Sequence, residues 1–222
     1  MKLLMISILA LTLLSVSASA QQSASPASSP AGSQETIGPD VFREKFDAPS
    51  TLWPQTDNVF VEKGKLTVKG DCAISIGSYV YEDFEATVVA SLFTSVVHTK
   101  GSTSSASDLT TLPTIGLSFR VSKDGYYTAL LSPLAGQNEG LYRLFKVVNG
   151  KQIELTRWRP DLAIKMRNEL TVRCVGQKIE LHVNAIKIAE FKDDSHARGR
   201  LTLVFSGGLG SFDDVVIKKV KK

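Results

Sequence analysis

The strongest constraint on the fold is a two-residue alternation of apolar and polar side chains, which recurs in short segments after Pro39. Successive side chains of a β-strand point to opposite faces of a sheet, so this period predicts half-buried strands. A helix of more than a turn or two is nowhere convincing, and the best candidate is Asp161 to Asn168. The clearest strand segments are LTVKG (66–70), EATVVASLF (85–93), TIGLSFRVS (114–122) and KIELHVN (178–184).

Turn signals between these segments predict antiparallel pairing. Lys123-Asp124-Gly125, Asn149-Gly150, Gly176-Gln177 and Asn184-Ala185 separate strand-like stretches, and Asn-Gly and Asp-Gly tolerate the positive φ angles of tight hairpins. We expect three hairpins, which join TIGLSFRVS to YYTALLSP, LYRLFKVVN to KQIELTRW, and ELTVRCVG to QKIELHVN. About a dozen short strands without crossover helices predict an all-β protein, a two-sheet antiparallel sandwich in preference to a barrel.

The N-terminus predicts export. Residues 1–20 contain Lys2, an apolar stretch of about 14 residues and the small-x-small pattern Ala18-Ser19-Ala20, which together are typical of a cleaved signal peptide. The apolar stretch is shorter than the ~20 residues that span a bilayer. We therefore expect a secreted or periplasmic protein without a membrane span after signal cleavage.

A polar spacer is predicted to follow the signal peptide. Residues 21–38 are rich in Ser, Ala and Pro and cannot bury enough apolar surface to offset their conformational entropy, so we expect disorder there. Residues 39–222 then form one domain. The formal net charge of +4, from 26 basic and 22 acidic residues, is too small to indicate nucleic-acid binding.

The order of the strand segments resembles that of a known superfamily. The chain resembles the concanavalin A-like lectin/glucanase superfamily, and within it the laminin-G-like and 3-keto-disaccharide hydrolase-like domains of secreted bacterial proteins. The resemblance implies a jelly roll of two curved antiparallel sheets, whose concave face binds carbohydrate in many members. Two positions depart from the family pattern, because Arg167 precedes Asn168 where Trp is usual and Ala185 replaces the usual turn Gly. The matching stretches are FREKFD followed by a Trp, GKLTVKG, SYVYEDFEATVVASL, GLSFRVSKDGYYTALLSP, LYRLFKVVNGKQIEL, NELTVRCVGQKIELHVNAIKIAEF and GRLTLVFSGGLGSFDDVVIKK.

No catalytic residue is predicted. The endo-glucanases of this superfamily carry a Glu-x-Asp-x-x-Glu strand, and the nearest stretch here, Glu82 to Glu85, has a different spacing that places Glu82 and Asp83 on opposite faces. No Gly-x-Ser-x-Gly nucleophile elbow is present either. Hydrolysis of glycosides stays open only as an alternative function.

Sugar binding requires a flat aromatic ring for stacking and polar groups for hydroxyls. Consecutive hairpin strands carry suitable residues, although alternation allows only some of them to share a face. Trp158 is interpreted as an exposed rim aromatic or as a cover on the sandwich end, whereas Trp53 is expected in the core. The candidate ligand-binding residues are Arg120, Tyr126, Tyr127, Tyr142, Arg143, Arg157 and Trp158.

Two further features leave alternatives open. Asp47, Asp213 and Asp214 lie near the two ends of the domain and either hold a calcium ion or simply turn the chain; no other cofactor is implied. Cys72 and Cys174 are the only cysteines, and outside the cell they either form a disulfide or remain two buried thiols.

The leading functional hypothesis is an exported, non-catalytic module that binds a glycan or another extracellular ligand on the concave face of its sandwich. A sugar-processing hydrolase of the 3-keto-disaccharide hydrolase-like kind is the first alternative. A structural or protein-interaction module at the cell surface is the second.

Overall fold

The computed structural model describes residues 36–93, 112–133 and 140–221. The predicted signal peptide and most of the predicted spacer lie outside the described residues. The described residues contain no helix, and therefore none that is long and apolar enough to cross a membrane.

Short strands account for most of the described chain. They are, in chain order, β1 (Thr36–Ile37), β2 (Val41–Glu44), β3 (Val59–Glu62), β4 (Lys65–Lys69), β5 (Cys72–Ser75), β6 (Tyr79–Val80), β7 (Phe84–Leu92), β8 (Thr114–Val121), β9 (Gly125–Ser132), β10 (Gly140–Val148), β11 (Lys151–Asp161), β12 (Arg167–Val175), β13 (Lys178–Val183), β14 (Ile186–Lys192), β15 (Arg200–Ser206) and β16 (Leu209–Lys219).

Two antiparallel sheets face each other. The six-stranded sheet has the order β11-β10-β9-β8-β15-β5, and the eight-stranded sheet has the order β14-β13-β12-β7-β16-β4-β3, with β2 also paired to β16. A short parallel pair joins β1 to β6, so strand pairing already begins at Thr36, within the segment expected to be spacer. The prediction of an all-β, two-sheet antiparallel sandwich is confirmed.

All three predicted hairpins are present. Strands β8 and β9, β10 and β11, and β12 and β13 pair antiparallel. Asn149 and Gly150 both have positive φ, at 51° and 76°, as the Asn-Gly turn requires. Asn184 and Ala185 have φ of 50° and 65°, so an alanine adopts the left-handed conformation that glycine would adopt without strain.

Large apolar side chains from both sheets fill the space between them. Phe119 and Leu117 of the six-stranded sheet and Phe84 and Leu170 of the eight-stranded sheet are fully buried members of one core. Trp53 is buried too, stacks at a tilt on Phe46, and donates a hydrogen bond from Nε1 to Glu44 Oε2 at 3.0 Å. Its predicted place in the core is confirmed.

The segment from Asp161 to Asn168 is not the helix that was considered. Two asparagine side chains fix it as a loop: the buried Asn168 accepts a hydrogen bond from the Lys165 amide at 2.7 Å, and Asn184 donates to the Ala163 carbonyl at 2.6 Å. Asn184 belongs to the next hairpin, so a contact distant in sequence supplies the bonds that a helix would make internally.

The cysteines are both free thiols, so the disulfide alternative is wrong for this structure. Cys72 lies on an edge strand of the six-stranded sheet and Cys174 lies on β12 of the other sheet. Burial raises the pKa of the Cys174 thiol to about 12.

Candidate functional site

The outer face of the six-stranded sheet is identified by alternation with the core. On β8, Leu117 and Phe119 point into the core, so Gly116 and Ser118 point away from it. The pairing of residues between neighbouring strands then shows which side chains of the other strands point away from the core. One outward row crosses all six strands, with Ser75 on β5, Thr202 on β15, Ser118 on β8, Thr128 on β9, Phe145 on β10 and Glu154 on β11.

Hydroxyl groups occupy the middle of this row. The Ser118 and Thr128 hydroxyl oxygens lie 2.8 Å apart and share a hydrogen bond. Their neighbour Thr202 is 1% exposed, and its hydroxyl has no hydrogen-bond partner among the described residues. A buried hydroxyl without a partner is costly, so this position favours an additional polar group such as a water molecule or a ligand hydroxyl.

An arginine between two aromatic rings lies at the β10–β11 end of the row. The Arg143 guanidinium carbon is 5.2 Å from the Phe145 ring centroid and 5.9 Å from the Trp158 ring centroid. Arg143 also forms a two-pronged ion pair with Glu154, with Nε donating to Oε2 at 3.0 Å and the second amino group donating to Oε1. The ion pair and both rings therefore hold Arg143 in one orientation.

Glu154 is kept ionised by its surroundings. Partial burial opposes its charge, but hydrogen bonds from Arg143 and Gln152 and the nearby charge of Arg157 outweigh burial and lower its pKa. A carboxylate that is already paired in this way is a poor proton donor at neutral pH.

A β-bulge in β11 determines what stands beside Arg143. Tyr142 pairs with Arg159 and Leu144 pairs with Thr156, so Arg143 alone opposes two residues, Arg157 and Trp158. In a regular strand these two neighbours would point to opposite faces, whereas a bulge changes the direction of one side chain. Thr156 and Arg159 pair with the inward-facing Leu144 and Tyr142, so alternation from either side places the two residues between them on the outer face, where Trp158 contacts Arg143.

Three of the predicted ligand-binding residues belong to the structure of the sandwich instead. Arg120 is 1% exposed, has a φ of 51° where β8 shifts register against β15, and turns away from the outer face. Its guanidinium donates to the backbone carbonyls of His196, Glu82 and Gly176 at 2.8–3.1 Å and lies 3.9 Å from Asp83. Arg120 thus ties three chain segments together and is inaccessible to a ligand.

Tyr127 and Tyr142 point inward as well. Tyr127 stacks on Phe119 at 5.4 Å, and its hydroxyl donates to Asp193 Oδ1 at 2.6 Å; burial and this bond raise the pKa of Tyr127. Tyr142 donates from its hydroxyl to the Ile188 carbonyl at 3.2 Å. Both side chains pack and form hydrogen bonds inside the sandwich, so neither ring faces a ligand on the outer face.

The outer face therefore carries four of the seven predicted residues, three of them in one cluster and Tyr126 opposite Val147, four residues along β10 from Arg143. Tyr126 is half-buried and outward-facing, and burial raises its pKa, while Arg143, Arg157 and Trp158 form the cluster at the β11 edge. Sequence reasoning missed Phe145, Glu154 and the hydroxyl row. The alternation with core residues could have identified the row, but the bulge has no clear signal in the sequence.

The acidic residues considered for calcium lie in a strand bulge and in a loop. Asp213 and Asp214 lie in a bulge of β16, where the Asp213 carboxylate accepts a hydrogen bond from the Asp214 amide at 2.9 Å, and Asp47 is exposed in the loop after β2. Among the described residues, no group of three or more His, Cys, Asp or Glu side chains could hold a metal. Calcium binding by Asp47, Asp213 and Asp214 stays a prediction.

Comparisons with known proteins agree with this architecture. No protein-family model matches the chain, and no curated protein sequence matches it. Among solved structures, the carbohydrate-binding module CBM66 from Bacillus subtilis matches with a TM-score of 0.53 and 15% identity, covering 81% of this chain and 96% of the module. The Bacillus licheniformis beta-glucanase matches with a TM-score of 0.56 and 10% identity, covering 82% of this chain and 99% of the glucanase.

A third match is a prokaryotic beta-1,3-1,4-glucanase (lichenase) derived from a mouse hindgut metagenome. Its TM-score is 0.55 at 11% identity, and the alignment covers 81% of this chain and 99% of the lichenase. At such identities the likeness concerns the fold alone. The chain shares the fold of these proteins, a two-sheet antiparallel sandwich, which is the architecture that the resemblance implied.

Proposed function

We propose that this protein is an exported, non-catalytic module that binds a glycan on the outer face of its six-stranded sheet. The names of the structural neighbours support the ligand class, since one is a carbohydrate-binding module and others are glucanases. Because one fold hosts many functions, the site itself must carry the argument. The proposed export rests on the signal-like residues 1–20.

The observation that carries the proposal is a partly exposed indole held in a fixed orientation. Trp158 is in contact with Arg143, which is itself fixed by Glu154 and Phe145. A sugar stacks its apolar ring face on a flat aromatic surface, and a side chain that is already ordered loses little entropy on binding. In this arrangement Arg143 positions the indole, and the ligand contact is made by Trp158.

The accessible hydroxyl groups of this face supply the polar half of such a site. Serine, threonine and tyrosine hydroxyls both donate and accept hydrogen bonds, which matches the hydroxyls of a sugar. Ser75 at the end of the row is exposed and Tyr126 is half-buried, whereas Ser118, Thr128 and Thr202 are at most 3% exposed and serve the packing of the sheet. Ser75, Tyr126 and the indole lie on one sheet face.

The absence of paired carboxylates on this face favours binding over hydrolysis. Glycoside hydrolysis uses two carboxyl groups about 5–9.5 Å apart. Among the described outward side chains of the six-stranded sheet, Glu154 is the one carboxylate, and Arg143 neutralises it. This arrangement supplies neither a free nucleophile nor a general acid.

Replacement of the indole tests the proposal. Trp158→Ala should weaken binding to any glycan identified on an array by about tenfold or more in titration calorimetry, which corresponds to about 1.4 kcal/mol. Its thermal midpoint should stay close to that of the wild type, because Trp158 lies on an edge strand and outside the hydrophobic core. Phe60→Ala, on the outer face of the other sheet, is the matched control and should bind normally.

The same experiment separates the alternatives. Unchanged affinity of Trp158→Ala would contradict the proposed site. Release of reducing sugar that disappears in Glu154→Gln would replace the binding module with a hydrolase. If no glycan binds and no sugar is released, a structural or protein-interaction role replaces both.

A further inference from the structure

The bulge in β11 creates an arrangement that a neutral ligand would not need. It places Arg157 next to Trp158 on the outer face, where a regular strand would have directed one of them to the opposite side. Consecutive Cα atoms are about 3.8 Å apart, so the exposed Arg157 extends from the backbone position next to that of the indole. Bulges are frequent beside binding sites, where they redirect a side chain.

Among the described charged side chains around Trp158 on the outer face, one arginine is left without an ion-pair partner. Arg143 and Glu154 neutralise each other through their two-pronged ion pair. Arg157 is exposed and forms no hydrogen bond or ion pair with the described residues; its influence on Glu154 acts through space. Among the charged outward side chains of β10 and β11, Arg157 alone has its donors available.

We infer that the glycan bound on this face is anionic, with Arg157 pairing with its carboxylate or sulfate while Trp158 stacks on the sugar ring. This inference rests on the proposed function. A guanidinium presents a planar fork of donors that matches a carboxylate or a sulfate, and these charge-assisted bonds are stronger than those between neutral groups. A substituent at the edge of a stacked ring would be directed toward the guanidinium beside the indole.

The test uses ligands matched in backbone and different in charge. Polygalacturonate is compared with its fully methyl-esterified form, and dextran sulfate is compared with dextran, so that carboxylate and sulfate are assayed separately. We expect the protein to bind at least one acidic polymer about tenfold or more tightly than its neutral counterpart, with an affinity that falls as salt is raised.

Two arginines on the same strand provide the matched variants. Arg157→Gln should weaken binding to the acidic polymer about tenfold and leave binding to the neutral polymer unchanged. Arg159→Gln removes the same charge from an exposed residue that pairs with the inward-facing Tyr142, and it should bind as the wild type does.

Equal losses in the two variants would overturn the inference, because they would indicate a diffuse charge effect. Equal affinity for the acidic and neutral members of each pair would overturn it as well. If neutral glycans bind in a Trp158-dependent way without preference for acidic ones, the proposed function stands and the anionic ligand is wrong. If no glycan binds at all, the proposed function fails first.

Discussion

Two arginines that the sequence places in the same candidate set offer a direct comparison of a structural and a surface role. Arg120 on β8 is 1% exposed and donates to three backbone carbonyls, whereas the Arg143 side chain on β10 is 26% exposed and pairs with Glu154. Substitution by methionine at either position keeps much of the volume and removes the charge. The two variants therefore differ mainly in the environment of the guanidinium that is lost.

The expected cost at Arg120 is large. Arg120→Met removes a buried guanidinium that donates to three backbone carbonyls and lies 3.9 Å from Asp83. Breaking a buried charged interaction of this kind costs about 3–5 kcal/mol of the free energy of unfolding. Since a domain of about 150–250 residues loses roughly 2–4 °C per kcal/mol, the thermal midpoint should fall by about 6–20 °C.

The expected cost at Arg143 is small, because exposed ion pairs contribute about 0–1 kcal/mol. Urea-induced equilibrium unfolding of the wild type, Arg120→Met and Arg143→Met gives the three free energies, and equal m-values establish that the comparison is valid. In glycan titrations the order should reverse: Arg143→Met binds weakly because Trp158 loses its support, and folded Arg120→Met binds normally. A loss of less than about 1 kcal/mol at Arg120, or equal losses at both positions, would refute the reasoning.

Two further predictions concern stability. Ala185→Gly should raise the free energy of unfolding by about 0.5–1 kcal/mol, because glycine adopts the φ of 65° without strain, and Ala189→Gly within β14 should lower it; chemical unfolding measures both. Burial opposes ionisation of Asp193, but hydrogen bonds from Lys146 and Tyr127 outweigh burial and lower its pKa. As the pH falls, the Asp193 carboxyl is protonated at a higher pH in the unfolded state than in the folded state. The stabilisation by ionised Asp193 is therefore complete above the unfolded pKa of about 4 and is lost as the pH falls below it. The stability difference between wild type and Asp193→Asn should shrink from pH 7 to acid pH, and a difference independent of pH would contradict the assignment.

Features set by neighbouring residues were predictable. The three hairpins follow from short apolar alternation on both sides of turn residues, and Asn149-Gly150 adopts the positive φ angles expected from its composition. The core position of Trp53 was also predictable. These features depend on interactions over a few residues, which the order of the amino acids specifies directly.

Features that depend on distant contacts were not predictable. The segment from Asp161 to Asn168 has a helix-like composition, but the side chain of Asn184 from the following hairpin holds it as a loop. Arg120 looks like a surface residue in the sequence, yet carbonyls from three other segments surround it. Neither environment exists until the sheets have packed.

The sequence by itself determined that this chain forms alternating strands, where the hairpins turn, and which stretch carries the arginines and aromatic residues. Only the tertiary structure decided which of them are accessible: it turned Tyr127 and Tyr142 inward, left Tyr126 on the outer face, and used one bulge to bring Arg157 and Trp158 together. The physical reason is that a strand has two equivalent faces, and a shift of a single residue exchanges them. Alternation with core residues indicates the face of a regular strand, but the shift introduced by a bulge is set when the strands pair and the sheets pack, and it has no clear signal in the sequence.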